Sequence, residues 1–373
     1  MISVDKTSTV PPGDGLASEW RSVWGWSATS APVGLLLTAG ILLGPQGINL
    51  LSTSTMPFLS PIVPIALAAL GVLVGLNFGE SRSFNSRIFG TALILSALTM
   101  VAASAGVGLL AWTSVTLSGP VSVLAFACGI CAATSLTLPT GPSLEPRAEA
   151  TRIIETGVLL PILAGGLILA WLRAAAPLST LILLGESLGV TLALAMAGWL
   201  LLTRASSPTE ERVFALSALL LIGGAAEALA LSALFAGLTA GVFWRYASGR
   251  PRETIGRDVL FVQHPLLVLV LLVAGARVEF PLLSLSLGLL YAALRAVGAI
   301  VAAAVASRIA RRPLPADLTR LLIRPGVFGV AFALNALSTA GNNASSLLLT
   351  TVVLGTIVSE FATLLLPTQT AHR

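Results

Sequence analysis

Long apolar runs fill the chain from residue 32 to 366, and short polar stretches with arginine or proline interrupt them. The runs lie at 32–50, 57–78, 88–114, 118–138, 153–172, 178–203, 213–230, 232–246, 258–276, 281–307, 317–340 and 345–366. A helix needs about 20 residues to cross a hydrocarbon layer of about 30 Å. The pattern therefore predicts an all-α, polytopic membrane protein with about twelve spans. The stretch 213–246 is too long for one helix, so it divides near Leu231, and the short 232–246 piece reads as tilted or broken. Residues 1–31 form a polar tail with proline and glycine, and 32–367 form one transmembrane domain. No loop is long enough for a soluble domain.

The basic residues test that count. Seventeen of the 21, from Lys6 and Arg21 through to Arg373, fall on one side of the predicted spans. Only Arg173 and Arg277 fall on the other, and Arg295 and Arg324 lie inside spans. The side richer in Lys and Arg is the cytoplasmic one. Both termini are therefore expected in the cytoplasm, which requires an even number of spans.

Composition narrows the class further. The chain is 55% apolar and only 10% charged, with a mean hydropathy of +0.94. Soluble domains carry about 25% charged residues. This excludes a soluble enzyme, a nucleic-acid binder and a disordered chain. The net charge of +5 comes from loop arginines and does not point to nucleic acid. Cys128 and Cys131 sit inside one apolar run and read as small packing residues. His264 and His372 are too few for a metal cluster, so neither metal nor cofactor is expected. The first 30 residues contain Asp5, Asp14 and Glu19 and no apolar core of a cleavable signal. Trp20, Trp24 and Trp26 read as interfacial anchors.

A charge at mid-bilayer costs at least about 2.5–3.5 kcal/mol, so intramembrane charges mark candidate sites. Six qualify: Glu155, Glu186, Glu227, Arg295, Arg324 and Glu360. Buried salt bridges between helices would explain some of them without any transport role. Four acids and two bases cannot all pair, and an unpaired carboxylate in a low-dielectric cavity becomes a proton site. The hydroxyl-rich run Ala132 to Thr140 ends one span at Pro139, and Arg324-Pro325-Gly326 interrupts another. Each alone could be a proline kink. Together, in separate halves of the chain, they point to the discontinuous helices of a secondary-transporter binding site.

Several segments resemble the monovalent cation/proton antiporter superfamily, which includes the sodium/proton exchangers and Kef-type proteins. They are Gly40 to Gly47, Leu70 to Glu80, Ala133-Thr134-Ser135, Ala226 to Ser232, His264-Pro265 to Gly275, and Arg324-Pro325-Gly326. No single motif is specific, but six occur in order over residues 35–330. The resemblance implies two inverted repeats with crossed broken helices near 118–138 and 317–340. It implies a core of about 88–172 and 281–366, a dimer-forming scaffold of about 32–78 and 213–276, and a linker helix at 178–203. Glu186 falls in that linker and reads as structural or interfacial. The implied activity is proton-coupled antiport of Na⁺ or K⁺ by an elevator movement, in a homodimer of the cell (inner) membrane.

One departure is chemical. The family carries an acidic or amide–acid pair in its fifth helix, and the second position binds the ion. Here the pair is Glu155 and Thr156, so that carboxylate is missing. The resemblance implies an ion or proton site of Glu155, Thr156, Thr134 and Ser135. It also implies a Glu155–Arg295 pair and a Glu227–Arg324 pair, and leaves the role of Glu360 open. Two readings follow. Either Glu155 carries the proton, or it is locked to Arg295 and the chain carries another solute or acts as a sensor. A membrane-embedded enzyme is disfavoured by the scarcity of histidine.

Overall fold

The computed structural model describes residues 33–365, apart from 53, 78–85, 114–120, 135–144, 175, 248–250, 280–281, 311–315, 324–325 and 342. The described residues are helices and short connections. They form α1 (Val33–Leu43), α2 (Met56–Leu59), α3 (Ile62–Asn77), α4 (Ser86–Thr113) and α5 (Val121–Ala132). Next come α6 (Glu145–Gly157), α7 (Leu159–Ala174), α8 (Pro177–Arg204), α9 (Pro208–Ala228) and α10 (Ala233–Tyr246). The last are α11 (Pro251–Ala276), α12 (Leu282–Ala310), α13 (Ala316–Ile323), α14 (Val327–Ala340) and α15 (Asn343–Leu365). Every predicted apolar interval contains a helix. Among the described residues, seven segments are long and apolar enough to cross a membrane unaided, and α1 and the end of α11 are shorter apolar helices.

The helices meet in a pattern that occurs twice. α3 packs on α10, and α1 packs on α11. α4 touches α5 and α6, as α12 touches α13 and α15. α5 meets α7, as α14 meets α15. The unit α1–α7 is thus repeated by α10–α15, with α8 and α9 between them. α4 packs on α12, and α5 on α14, so the repeats meet through equivalent elements.

Glycine makes the tightest of these contacts possible. Gly71 and Gly75 of α3 face Gly237 and Gly241 of α10. A Cβ on Gly71 would strike Leu234 O, and one on Gly237 would strike Ala68 O. In lipid, helices gain little from hiding apolar surface, and small residues that let backbones approach drive association. The equivalent seam between α1 and α11 uses Gly40 and Gly275 in the same way.

α8 behaves differently. It buries only the narrow stripe Thr180, Ser187, Thr191, Ala195, Gly198 and Leu202. Trp244 of α10, fully buried, donates its indole N–H to Ala195 O at 2.9 Å and pins the stripe. The remaining face of α8, including Glu186, is exposed.

Two local outcomes refine the sequence reading. The interval 153–172 is not one straight helix starting at 153. Helix begins at Glu145 and is interrupted at Val158, between α6 and α7. Pro161 has no N–H to offer the carbonyl four residues earlier, Gly157. Ser96 of α4 takes that vacant place, donating to Gly157 O at 2.7 Å in a buried site. The division near Leu231 falls at residues 229–232, where Ala230 adopts φ +48. Leu231 N donates to Ala226 O and Ala230 N to Glu227 O. This is a Schellman end in which alanine holds the left-handed place that glycine usually takes.

Candidate functional site

The helix ends that adjoin the two predicted breaks meet. α5 stops at Ala132, and Thr134 turns its hydroxyl back to Cys131 O at 2.7 Å. α13 ends at Ile323 and α14 starts at Val327, after the extended Gly326 (φ −94, ψ 155). A Cβ on Gly329 would lie 2.7 Å from Cys131 O and 2.8 Å from Thr134 Oγ1. The first turn of α14 is therefore in contact with the last turn of α5. A helix end carries a partial charge of about half a unit, negative at the C-terminus and positive at the N-terminus. The contact places the negative end of α5 against the positive end of α14.

Arg295 completes this arrangement. It lies in the middle of α12, 1% exposed, and its Nη2 donates to Thr134 O at 3.2 Å. Tyr291, one turn earlier, and Cys131 lie beside the guanidinium. A buried cation needs partners to offset its lost hydration. The carbonyl end of α5 is one such partner. Arg295 and Thr134, both singled out from sequence, are thus brought together. Cys128 and Cys131 are free, buried thiols within α5.

A cavity of about 10 Å³ lies next to the α5 end. Its walls are Ser96 and Thr99 of α4, Ala132 and Ala133, Ile153, Ile154 and Gly157 of α6, Ala299 of α12 and Leu322 of α13. That volume is close to the least that admits one water. Ser96 and Thr99 donate to Gly157 O and Leu95 O, which leaves their oxygen lone pairs as acceptors. Glu155 and Thr156 are half-buried on α6, next to this wall. At 100° per residue, Glu155 sits about 155° around the helix from the face formed by Ile153, Ile154 and Gly157. Thr156 donates its hydroxyl to Arg152 O at 2.8 Å, within its own helix.

The other candidates are scattered. Glu227 is exposed near the end of α9. Glu360 of α15 accepts the backbone N–H of Gly34 and so caps the first turn of α1, a favourable place for a carboxylate. Ser135 and Arg324 lie outside the described residues, and with them the Glu227–Arg324 pairing.

Two polar residues not singled out from sequence hold the α9–α10 turn. Arg173, at the end of α7, donates through Nη1 to Leu229 O and to Ala230 O, the latter at 3.0 Å. Asn335 of α14, 1% exposed, accepts from Ala233 N at 3.2 Å and donates to Ser232 Oγ at 2.8 Å. Ser232 Oγ accepts in turn from Phe235 N, so Asn335 and Ser232 together serve two of the free N–H groups at the start of α10. The sequence carried a signal for each. Arg173 breaks the charge asymmetry, and Asn335 is the lone amide in an apolar run.

Comparison with solved structures places the architecture. The chain superposes on the sodium proton antiporter MjNhaP1 from Methanocaldococcus jannaschii, a structure at pH 8, with a TM-score of 0.60. The match covers 93% of this chain and 98% of that one, at 17% sequence identity. The chain has the fold of that antiporter. No family model and no curated protein matches the sequence. The expected architecture, all-α with paired repeats and crossed broken helices, is the one found. At this identity the likeness concerns fold, and residues that bind or move an ion must be argued from this chain alone.

Proposed function

We propose that the chain is a proton-coupled antiporter of a monovalent cation and a divergent member of the cation/proton antiporter superfamily. The observation that carries the proposal is the meeting of the α5 end with the start of α14, with Arg295 on the exposed carbonyl of Thr134. Opposed helix ends and a fixed cation make a polar centre within an apolar bundle, the arrangement on which secondary transporters build ion sites. MjNhaP1, which shares the fold, is a sodium proton antiporter.

In this reading Glu155, half-buried on the flank of α6 away from the small cavity, is the proton-carrying acid. Thr134, Ser135 and Thr156 supply neutral oxygens, and Arg295 balances charge when the site is empty. Protons and Na⁺ or K⁺ are the partners, and no enzymatic step is involved. The core (about 88–172 and 281–366) moves against the scaffold (about 32–78 and 213–276), with α8 as the link. The protein works as a homodimer in the inner membrane, with twelve crossings and both termini cytoplasmic.

A second reading rests on Thr156. It offers no carboxylate, only the neutral oxygen of a hydroxyl that donates to Arg152 O. A site of this kind would bind a hard cation weakly, and the fold would then carry another solute or act as a sensor. Glu155→Gln and Thr156→Asp separate the two readings in proteoliposomes with a trapped pH dye. Under antiport, the first variant abolishes cation-driven proton movement and the second raises apparent cation affinity. Under the second reading neither variant changes the trace.

A further inference from the structure

A groove of about 770 Å³ opens on the side of the bundle between α7, α8 and α10. We infer that it binds the acyl chains of one anionic phospholipid from the leaflet on the arginine-rich side.

The lining is hydrocarbon. Leu163 of α7, Leu192 and Met196 of α8, and Leu238 and Val242 of α10 form its walls. Its one aliphatic hydroxyl, Thr239, donates to Phe235 O at 2.9 Å and offers no proton to a guest. Water in such a groove gains no hydrogen bonds, so a polar guest is excluded. The walls are far from sealed, since Met196 is 56% exposed.

Dimensions select the guest. Along α8 the lining runs from Leu188 to Trp199, about 16 Å at 1.5 Å per residue. That is about half of a hydrocarbon layer of ~30 Å, the depth of one leaflet. Acyl chains of one leaflet match that length and, being flexible, can follow the walls.

One end of the groove identifies the headgroup. Trp199, Tyr246 and Ala247 close it, and Tyr246 is 72% exposed. Aromatic side chains of this kind settle at the membrane–water boundary. Near that end, outside the lining, are Arg204 in the last turn of α8 and Arg245, next to Tyr246, in the last turn of α10. Basic residues at this depth attract anionic lipid. The groove is walled by α7 on one side and α10 on the other. If the proposed core moves against the scaffold, the bound chains lie between moving parts. The binding inference itself does not depend on transport.

The test uses the full chain in phosphatidylcholine vesicles containing one tenth phosphatidylglycerol brominated on the acyl carbons nearest the headgroup. Bromine quenches only a tryptophan in contact with it. Trp199 is read as the difference between the protein and its Trp199→Phe variant, and Trp171, 44% exposed on α7, serves as the bulk-lipid reference. The expected result is at least twofold more quenching of Trp199 than of Trp171. The same fraction of brominated phosphatidylcholine should give no excess, and Arg204→Ala with Arg245→Ala should remove it. Equal quenching of Trp199 and Trp171 by brominated phosphatidylglycerol in the unmodified groove would overturn the site, whether or not any variant folds. Equal excess from both headgroups would overturn the anionic assignment. None of these readings uses ion flux, so they stand apart from the antiport proposal.

Discussion

Replacing Asn335 with leucine tests how the α9–α10 turn is held against α14. Leucine keeps most of the side-chain volume but neither donates to Ser232 Oγ nor accepts from Ala233 N. Hydrogen bonds between membrane helices contribute about 0.6 kcal/mol on average, and rarely above ~1.7. Two of them give about 1.2 kcal/mol. Ala233 N–H is then left buried with no acceptor, and an orphaned donor costs a further ~1–3 kcal/mol. Ser232 keeps its own bond from Phe235 N and can turn its hydroxyl, so it adds no second orphan, and the low end of the range for Ala233 sets the minimum. The expected loss is about 2 kcal/mol, roughly thirtyfold in the folding equilibrium. Reversible unfolding in mixed detergent and SDS measures it. Ser232→Ala, run singly and with Asn335→Leu, isolates the Asn335–Ser232 bond, and a coupling of about 0.6 kcal/mol is expected. A coupling of zero, with a loss under about 0.5 kcal/mol for Asn335→Leu, would refute the claim that this amide holds the turn.

Three further outcomes follow from single residues. Ala230→Gly removes a left-handed strain of about 1–2 kcal/mol and adds a chain-entropy cost of about 0.5–1 kcal/mol, so a net gain near 0.5 kcal/mol is expected in the same unfolding assay. Gly237→Ala would drive a Cβ into Ala68 O and should cost about 1–3 kcal/mol, whereas Gly185→Ala, with nothing near its Cβ, should be neutral or stabilising by under ~1 kcal/mol. Glu210, at the exposed start of α9, has its carboxyl held below the usual carboxylate range by the backbone N–H and hydroxyl of Ser206. Its folded-state pKa is depressed, so its capping is present above the unfolded carboxylate value and is lost as pH falls through the lower folded one. Hydrogen exchange over residues 206–212 should quicken in that acid range, and Ser206→Ala should move the onset upward.

The fold was legible because it rests on coarse signals. Apolar run length located the helices, and the Ala132–Pro139 and Arg324–Gly326 segments marked where α5 ends and α14 begins, two helix ends that meet in space. The α6–α7 interruption was legible only in hindsight, since it needs Pro161 read together with a hydroxyl 65 residues earlier, Ser96. The site was less legible. Arg295 and Thr134 met, because a buried cation requires a negative partner and a broken helix end supplies one. The role of Glu360 was open from sequence, and its carboxylate caps α1, a backbone contact that no pattern of side chains foretells. Arg173 and Asn335 escaped notice for a similar reason. They serve main-chain groups of a turn whose strain at Ala230 is invisible in sequence, because alanine usually signals helix.

The most direct test of antiport is flux through the unmodified protein. Purified protein is reconstituted into liposomes with a trapped pH dye and an acid-inside gradient, and Na⁺, K⁺ or Li⁺ is added outside. The account predicts that at least one cation drives protons out, saturably and only in vesicles carrying the protein. Folded protein that leaves the gradient unchanged with every one of these cations would contradict it.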